Sequence, residues 1–370
     1  MRRLWRRLLI ILGVLGSAHF YIWLRLVRAP HWPAPWFTLA TVVVFAMAPA
    51  LPMTMFVARR FSREQAKPVL WIAYTWFGGA VYLLLGAAVA HVLSLFVTAR
   101  AAAVVALAGV GLVILYGLVH ARTGPIVRRV QVLLDKLPAS ANGYTIVQLT
   151  DVHIGWTLGA RFAERVVERV NALQPDLIVL TGDLVDGHVK ELSQHVAPLA
   201  KLSARDGVYA VTGNHEYYWN ADSWLAHLGS LGVKYLRNER VAIGDAFELA
   251  GTDDITSRAM AAGHGEDIPR ATAGRRADRP LVLLAHHPSS LPKAMEAGVD
   301  LQLSGHTHGG QLLPLGWLAR LFEPHVAGLA RFGATQLYVS EGTGFWGPPM
   351  RIGTSCEIAH VTLVSGSPTD

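Results

Sequence analysis

The pattern of apolar and polar residues divides the chain near residue 120. Before that point stand four long apolar stretches, Leu8–Leu26, Trp36–Val57, Leu70–Leu95 and Ala101–His120. Each approaches or exceeds the ~20 apolar residues that cross a bilayer. No Asp, Glu, Lys or Arg occurs between Pro68 and Thr98, whereas a helix of a soluble bundle needs a polar face. The pattern therefore predicts a transmembrane region of about four helices over residues 1–120.

Residues 121–370 show a different pattern, in which short apolar runs alternate with amphipathic segments. The helix predicted over Arg161–Leu173 has Phe162, Val166 and Val170 on one face. Strands alternating with helical segments predict a layered α/β domain. The predicted strands are Ile126–Val132, Tyr144–Thr150, Asp176–Leu180, Val208–Val211, Leu281–Leu284, Val299–Leu303 and Gln336–Ser340.

Polar residues capable of binding metals directly follow five of these strands. Ligands of α/β proteins bind at the ends of the strands, so we expect the five loops to converge on one site. In chain order the loops carry Asp151 and His153, then Asp183, then Asn214 and His215, then His286, and finally His306 and His308.

Apart from His215, these side chains form a mixed set of oxygen and nitrogen ligands without a thiolate. Such a set suits Mn, Fe, Co or Zn better than calcium or copper(I). Seven ligands are more than one tetrahedral ion needs and suit two ions that share a carboxylate. Two ions ~3.5–4 Å apart can stabilise both oxygens of an in-line displacement and lower the pKa of a bound water towards ~7.

Five ordered segments resemble the five motifs of the calcineurin-like metallophosphoesterases. The resemblance extends over about Tyr144–Val364 and is nearest to a transmembrane, bacterial, YkuE-like branch. It implies a four-layer fold, in which a β-sandwich of two sheets is flanked by helices. The segments are Asp151-Val152-His153, Gly182-Asp183-Leu184-Val185-Asp186, Gly213-Asn214-His215-Glu216, Ala285-His286-His287-Pro288 and Gly305-His306-Thr307-His308.

The resemblance also implies a role for each residue. Asp151, His153, Asp183 and His308 would bind one ion, and Asp183 would bridge to a second ion that also takes Asn214, His286 and His306. A bridging hydroxide would be the nucleophile. His215 would stay unligated near the leaving-group oxygen as an acid or electrostatic stabiliser, so His215 and Asp183 are the expected catalytic residues.

Three further residues receive an expectation from their positions in these motifs. Asp186 and Glu216 would orient imidazoles from outside the ligand set. Asp186 also stands where the purple acid phosphatases have a tyrosine ligand, so an Fe(III)–tyrosinate centre is not expected. His287 adjoins a ligand position but is not expected to bind metal, because neighbouring side chains diverge.

The positive charges lie mainly on one side of the predicted membrane region. Four Lys or Arg precede the first span, four separate the second from the third and four follow the fourth, against three in the opposite loops. This bias places both termini in the cytoplasm, and resemblance to the bacterial branch implies the inner membrane. The net charge of +7 then needs no nucleic-acid partner. The single cysteine, Cys356, excludes intrachain disulfides and suits a reducing compartment.

The sequence therefore predicts a membrane-anchored, dinuclear phosphoesterase, with Mn, Fe or Zn as its metals. Its substrate could be a phosphodiester, a pyrophosphate or a phosphomonoester. A lipid-linked ester is one candidate, because related metallophosphoesterases hydrolyse UDP-2,3-diacylglucosamine. Two alternatives are a transporter with a regulatory domain and a membrane pseudoenzyme that serves as a receptor. The oligomeric state stays open.

Three segments have two interpretations each. Leu312–Phe332, which includes Trp317 and Leu318, is either core or an apolar lip touching lipid or an acyl chain. The basic segment Gly251–Pro280 is first a solvated loop and second a flap over the substrate. Arg351 is either a contact to substrate phosphate or a structural surface arginine.

Overall fold

The computed structural model describes residues 2–321, 323 and 325–366, without the side chains of residues 2–9, 55, 58, 59 and 319. Five arginines of the charge argument, Arg2, Arg3, Arg6, Arg7 and Arg59, therefore have side chains outside the described residues. The chain forms two compact units. One comprises Met1–Arg122 together with Gly347–Ile352, and the other comprises Thr123–Trp346 together with Gly353–Asp370.

The first unit is helical. Its helices are α1 (Arg2–Ile22), which continues as a π-helical segment over Trp23–Arg28, α2 (Ala34–Met47), α3 (Ala50–Arg60), α4 (Arg63–Leu93) and α5 (Ala99–Arg122). Within the described residues, three helical segments are long and apolar enough to cross a membrane: Ile10–Arg28, Arg63–Leu93 and Ala99–Arg122.

The prediction of a fourth such helix is wrong for the stretch Trp36–Val57. There α2 ends at Met47 and α3 begins at Ala50, with Pro49 at the N-cap of α3. A proline has no N–H to donate to the preceding turn, so the helix is interrupted. At 1.5 Å per residue the 14 residues of α2 extend about 21 Å, less than the ~30 Å hydrocarbon core.

The segment Gly347–Ile352 packs against glycines of the helical unit. A Cβ atom at Gly78 would lie 2.9 Å from Sδ of Met350, and one at Gly117 would lie 2.6 Å from Cγ1 of Ile352. The backbone N–H of Arg351 donates to the carbonyl of Gly117 over 3.1 Å. Arg351 is fully buried, so its interpretation as a surface arginine is wrong.

The second unit contains two six-stranded sheets. The order is β1-β12-β2-β3-β4-β5 in one sheet and β10-β11-β9-β8-β7-β6 in the other. Strands β2 to β5 run parallel, as do β7, β8, β9 and β11. The strands are β1 (Ile126–Leu134), β2 (Tyr144–Leu149), β3 (Leu177–Thr181), β4 (Val208–Val211), β5 (Lys234–Tyr235), β6 (Glu239–Ile243), β7 (Phe247–Gly251), β8 (Leu281–Leu284), β9 (Leu301–Ser304), β10 (Gly328–Phe332), β11 (Thr335–Val339) and β12 (Glu357–Ser365).

The main hydrophobic core lies between the two sheets, because each sheet contributes to one buried cluster. Ile146 and Val179 come from the first sheet, and Leu249, Val282 and Leu303 come from the second. The described residues of this unit also form seven α-helices. They are α6 (Ala160–Ala172), α7 (Val189–Val196), α8 (Asn214–Tyr218), α9 (Ala221–Ser230), α10 (Ile268–Thr272), α11 (Leu291–Glu296) and α12 (Leu315–Ala319). The predicted α/β sandwich is confirmed.

The segment Gly251–Pro280 is a solvated loop only in part, because Arg258, Arg270 and Arg276 are exposed whereas its first residues are buried. Thr252, Asp253 and Asp254 are buried directly after β7. Asp253 accepts hydrogen bonds from Nε of Arg237 at 3.0 Å and from Nη2 at 2.8 Å. Buried carboxylates need partners. The part of the segment that carries Asp253 and Asp254 is therefore packed and not solvated.

Candidate metal centre

The five predicted loops follow β2, β3, β4, β8 and β9. Within each sheet these strands are parallel, so their carboxyl ends share an edge. Asp151, His153, Asp183, Asn214, His286 and His308 are all buried, and His306 is half-buried. Buried polar side chains at these ends need partners or a bound ion.

The first group of side chains joins loops from both sheets. Nε2 of His308 lies 3.3 Å from Oδ1 of Asp151 and 3.1 Å from Nε2 of His153. Nε2 of His153 is also 4.0 Å from Oδ2 of Asp183. Ligand atoms of Asp151, His153 and His308 all lie within 4.8 Å of one another, so one ion can be shared among them.

The second group shares Asp183 with the first. Nε2 of His286 lies 3.2 Å from Oδ2 of Asp183, while Nδ1 of His286 is 2.7 Å from the carbonyl of Thr181. Since Nδ1 donates to that carbonyl, Nε2 carries the lone pair of the neutral ring and can bind a cation. The rings of His286 and His306 are 5.2 Å apart.

Two atoms of this second group show that a cation fits there. Oδ1 of Asn214 and Nε2 of His286 are buried and have no hydrogen-bond partner. Buried polar atoms normally have partners, and an amide oxygen and an imidazole nitrogen are both donors of lone pairs to metals. The residues present therefore fit a pair of divalent ions.

The backbone of the loops is strained where it presents these side chains. Asp151, His153, Asp183, His306 and His308 all have positive φ, between 49° and 70°. Non-glycine residues seldom adopt this left-handed conformation, and its occurrence clusters at functional sites. In an extended strand, successive side chains point to opposite faces. The left-handed residues change the chain direction, so that neighbouring side chains can face the same point.

Comparison with known proteins identifies the family. The family model of calcineurin-like phosphoesterases matches residues 144–310. The uncharacterized metallophosphoesterase YkuE of Bacillus subtilis is 31% identical over 242 residues, which cover 62% of this chain and 82% of that protein. The chain belongs to the calcineurin-like phosphoesterases.

Two relatives of this chain are named as transmembrane proteins with a metallophosphoesterase domain. The one from Bos taurus is 42% identical over 261 residues, and the one from Danio rerio is 40% identical over 259 residues. Each alignment covers 67% of this chain and 59% of the relative. The chain thus spans less than two thirds of the length of these two relatives.

Asp186 contacts two imidazoles of the candidate metal site. Its Oδ1 accepts a hydrogen bond from Nδ1 of His215, and its Oδ2 lies 3.1 Å from Nδ1 of His153. A hydrogen bond at Nδ1 holds the imidazole ring so that Nε2 points away from the carboxylate. Carboxylates often orient metal-binding histidines in this way. Asp186 therefore has the orienting hydrogen bond that its motif position implied for His215, and it lies close to His153.

Glu216 makes different contacts from those expected. Among the described residues, its hydrogen bonds come from backbone N–H groups and not from an imidazole. Oε2 accepts from the backbone N–H groups of Asp183 at 3.0 Å and Gly213 at 2.7 Å, and Oε1 accepts from Leu184 at 2.7 Å. Glu216 thus joins the loops after β3 and β4. Burial and the charge of Asp183 raise the pKa of the Glu216 carboxyl to about 7.

The charges of the site act strongly on its acids and bases. Burial opposes ionisation of Asp183, but His286 and His215 hold its pKa well below the usual range. Burial opposes protonation of His215, but Asp183 and Asp186 raise its pKa to about 10. Burial and the charge of His286 lower the pKa of His306 to about 2. The neutral form of His306 suits a metal ligand.

Sequence reasoning missed one carboxylate and discounted one imidazole beside the site. Asp254 follows buried strand β7 by three residues, but β7 was not among the predicted strands, so the rule that found the other loops did not reach it. Oδ2 of Asp254 lies 3.6 Å from Nε2 of His287. The nitrogens of His286, His287 and His306 lie within 4.8 Å of one another, so adjacent histidines converge here where divergence was expected.

Two aromatic side chains flank His215 at the surface. The ring of Tyr218 lies 5.0 Å from the His215 ring, and that of Trp346 lies 5.9 Å away. They are 55% and 51% exposed. An exposed aromatic pair beside an expected catalytic residue offers apolar surface to a substrate.

Proposed function

We propose that this protein is a membrane-anchored, dinuclear metal-dependent phosphoesterase. The observation that carries the proposal is the position of Asp183, whose Oδ2 lies 3.2 Å from Nε2 of His286 and 4.0 Å from Nε2 of His153. One carboxylate thus contacts both groups of ligands. Asp151, His153, Asp183 and His308 would bind one ion, and Asp183, Asn214, His286 and His306 would bind the other.

Two bound divalent ions (Mn, Fe or Zn) would supply Lewis-acid stabilisation and a water of lowered pKa. The chain itself supplies the acid. Asp186 holds Nδ1 of His215, and Nε2 of His215 lies 3.8 Å from Oδ2 of Asp183. A protonated Nε2 in this position can donate to the leaving-group oxygen of a phosphate ester.

A lipid-linked phosphodiester or pyrophosphate, as in UDP-2,3-diacylglucosamine, is the substrate class we favour over soluble monoesters. Support comes from α12, which follows the loop of His306 and His308. A Cβ atom at Gly310 would lie 2.1 Å from Cα of Gly316, so α12 starts in backbone contact with that loop. Its apolar side chains and that of Leu321, which follows the helix, are exposed: Leu315 41%, Trp317 60%, Leu318 55% and Leu321 74%.

We call Leu315, Trp317, Leu318 and Leu321 the apolar lip. Exposed apolar side chains next to a site mark a surface for an apolar partner. Because the described part of the chain carries three helices apolar enough to cross a membrane, lipid is the partner of matching chemistry. The lip supports an acyl-chain or bilayer contact.

The phosphoesterase unit is proposed to face the cytoplasm of a bacterial inner membrane. Three uninterrupted crossings would place the N-terminus and this unit on opposite faces. The flanking positive charges favour the same face for both, so α2 and α3 must then cross together as a broken helix pair. Irregular backbone at membrane depth is tolerated where protein surrounds it.

The decisive experiment compares Asp183→Asn with the parent protein, both purified as full chains in detergent with Mn present. We expect the parent to bind two ions and to hydrolyse a phosphodiester, and the variant to lose at least one ion and the activity together. Asp245→Asn is the control, because its carboxylate is 95% exposed. Metal binding without hydrolysis of any mono-, di- or lipid-phosphate ester would favour a pseudoenzyme and overturn the proposal.

A further inference from the structure

His287 and Asp254 carry buried polar atoms that the proposed metal set leaves unexplained. Nε2 of His287 and Oδ2 of Asp254 are buried without a hydrogen-bond partner, and they lie 3.6 Å apart. The residues are 9% and 1% exposed. Buried polar atoms normally have partners. We therefore expect Nε2 of His287 and Oδ2 of Asp254 to gain partners when a ligand binds at the site.

The surroundings of His287 point to a cation. Its ring lies against that of His306, with centroids 3.5 Å apart and planes inclined by 31°. One ring nitrogen each from His286, His287 and His306 lie within 4.8 Å of one another. Three imidazoles at this spacing are a recurring donor set for transition metals.

Asp254 is held so that one oxygen faces His287. Its Oδ1 accepts from the backbone N–H of Thr256 at 2.8 Å and from the Thr256 hydroxyl at 2.5 Å, and its own N–H donates to Oγ1 of Thr212 over 3.2 Å. Both oxygens of a carboxylate accept hydrogen bonds, and Thr256 occupies only one. Oδ2 therefore remains for His287.

We propose that His287 is an additional ligand of the second metal ion. Nδ1 would bind the ion, and Asp254 would orient the ring by accepting a hydrogen bond from Nε2. The inference rests on the proposed dinuclear site and extends it. A carboxylate that accepts from a metal-binding imidazole fixes the tautomer and the orientation of the ring.

The consequence is a difference between the two metal positions. The first has two carboxylates, Asp151 and Asp183, beside two imidazoles, whereas the second gains a third imidazole. Nitrogen-rich sites favour zinc, iron or cobalt, and oxygen-rich sites favour manganese. The second position is therefore expected to retain Zn or Co(II) when Mn fills the first.

Metal affinity and the cobalt spectrum test this inference without relying on activity. The full-length protein is stripped with a chelator, titrated with Zn and, separately, loaded with Co(II) for visible absorption. In His287→Gln we expect the metal equivalent bound at the second position to lose more affinity than the roughly 10–100-fold that removal of an orienting partner costs, and the cobalt bands of that equivalent to change. Asp254→Asn is expected to weaken the same equivalent by a smaller factor.

His227→Gln is the matched control, because His227 also has a buried ring nitrogen without a hydrogen-bond partner but lies on α9, outside the site. Unchanged affinity and cobalt bands in folded His287→Gln would overturn the inference and leave His287 a packing neighbour of His306. If His287→Gln does not fold, unchanged binding by Asp254→Asn overturns the role of the pair. A parent protein that binds no metal would instead overturn the proposed function itself.

Discussion

Nδ1 of His215 donates a hydrogen bond to Oδ1 of Asp186, so the imidazole expected to act as an acid is held by a carboxylate from the loop after β3. The second oxygen of Asp186 lies 3.1 Å from Nδ1 of His153. One carboxylate therefore holds an expected acid and lies beside an expected metal ligand, and its removal should affect the pH dependence of catalysis.

Asp186→Asn should shift the alkaline limb of kcat/KM to lower pH. Burial opposes protonation of His215, and the negative charges of Asp183 and Asp186 raise its pKa to about 10. His215 is protonated below its pKa, so removing one charge lowers that pKa and abolishes the acid form at a lower pH. The expected displacement is roughly 1–3 pH units, measured at saturating metal. An identical alkaline limb in both proteins would exclude this role of Asp186.

His215→Gln should reduce kcat by about 10²–10⁴ while the metal content stays unchanged. The loss should be smaller for a p-nitrophenyl ester than for an alkyl ester, because a good leaving group needs little protonation. The two esters are compared in one preparation, with bound metal measured in parallel. Equal losses for both leaving groups would contradict the assignment of His215 as an acid and favour electrostatic stabilisation.

Gly305→Ala should damage the first metal position. A Cβ atom there would lie 2.1 Å from Oγ1 of Thr150 and 2.3 Å from Oδ2 of Asp151, so the strand-end loops must separate. Overpacking of this kind costs about 1–3 kcal/mol, and we expect lower thermal stability together with weaker binding of one metal equivalent. Gly229→Ala is the control, since nothing lies within 4 Å of its added Cβ. Full metal binding by Gly305→Ala would show that the loops tolerate the displacement.

Replacing residues of the apolar lip should slow the hydrolysis of lipid substrates but not that of soluble ones. Leu318→Ser combined with Leu321→Ser removes two exposed apolar side chains and leaves the expected ligands intact. Hydrolysis of a lipid phosphodiester in vesicles is expected to fall at least several-fold, whereas a soluble diester is hydrolysed at the parent rate. Leu329→Ser, at a residue 38% exposed on β10, is the control. Equal rates with vesicles for all three proteins would remove the support for a lipid substrate.

Cysteine labelling should establish which face of the membrane each loop occupies. Cys356 is the only cysteine, so Cys356→Ser gives a background free of thiols. Thr98→Cys, between α4 and α5, should react with an impermeant reagent in intact cells, while Phe61→Cys and Asp245→Cys should react only after lysis. Labelling of Asp245→Cys in intact cells would place the phosphoesterase unit outside and indicate that α2 and α3 do not cross as a pair.

The order of strands and ligands could be predicted from the sequence because both depend on local patterns. Val208–Val211 and Leu281–Leu284 were predicted with the bounds that the structure gives, since short apolar runs bounded by polar residues define buried strands. Half-exposed strands such as β6 and β10 lack that contrast and were not predicted. The apolar stretch Trp36–Val57 was predicted as one span because composition alone does not show where Pro49 interrupts the helix.

The sequence by itself determined the family and predicted seven metal ligands, because the motifs are contiguous and their residue types restrict the chemistry. The tertiary structure alone decided that Glu216 joins backbone loops, that Asp186 contacts two imidazoles and that His287 lies against His306 beside Asp254. These contacts connect loops from different strands, and their distances depend on how the two sheets pack. No spacing along the chain encodes such a distance, since it is set by burial of the core between the sheets.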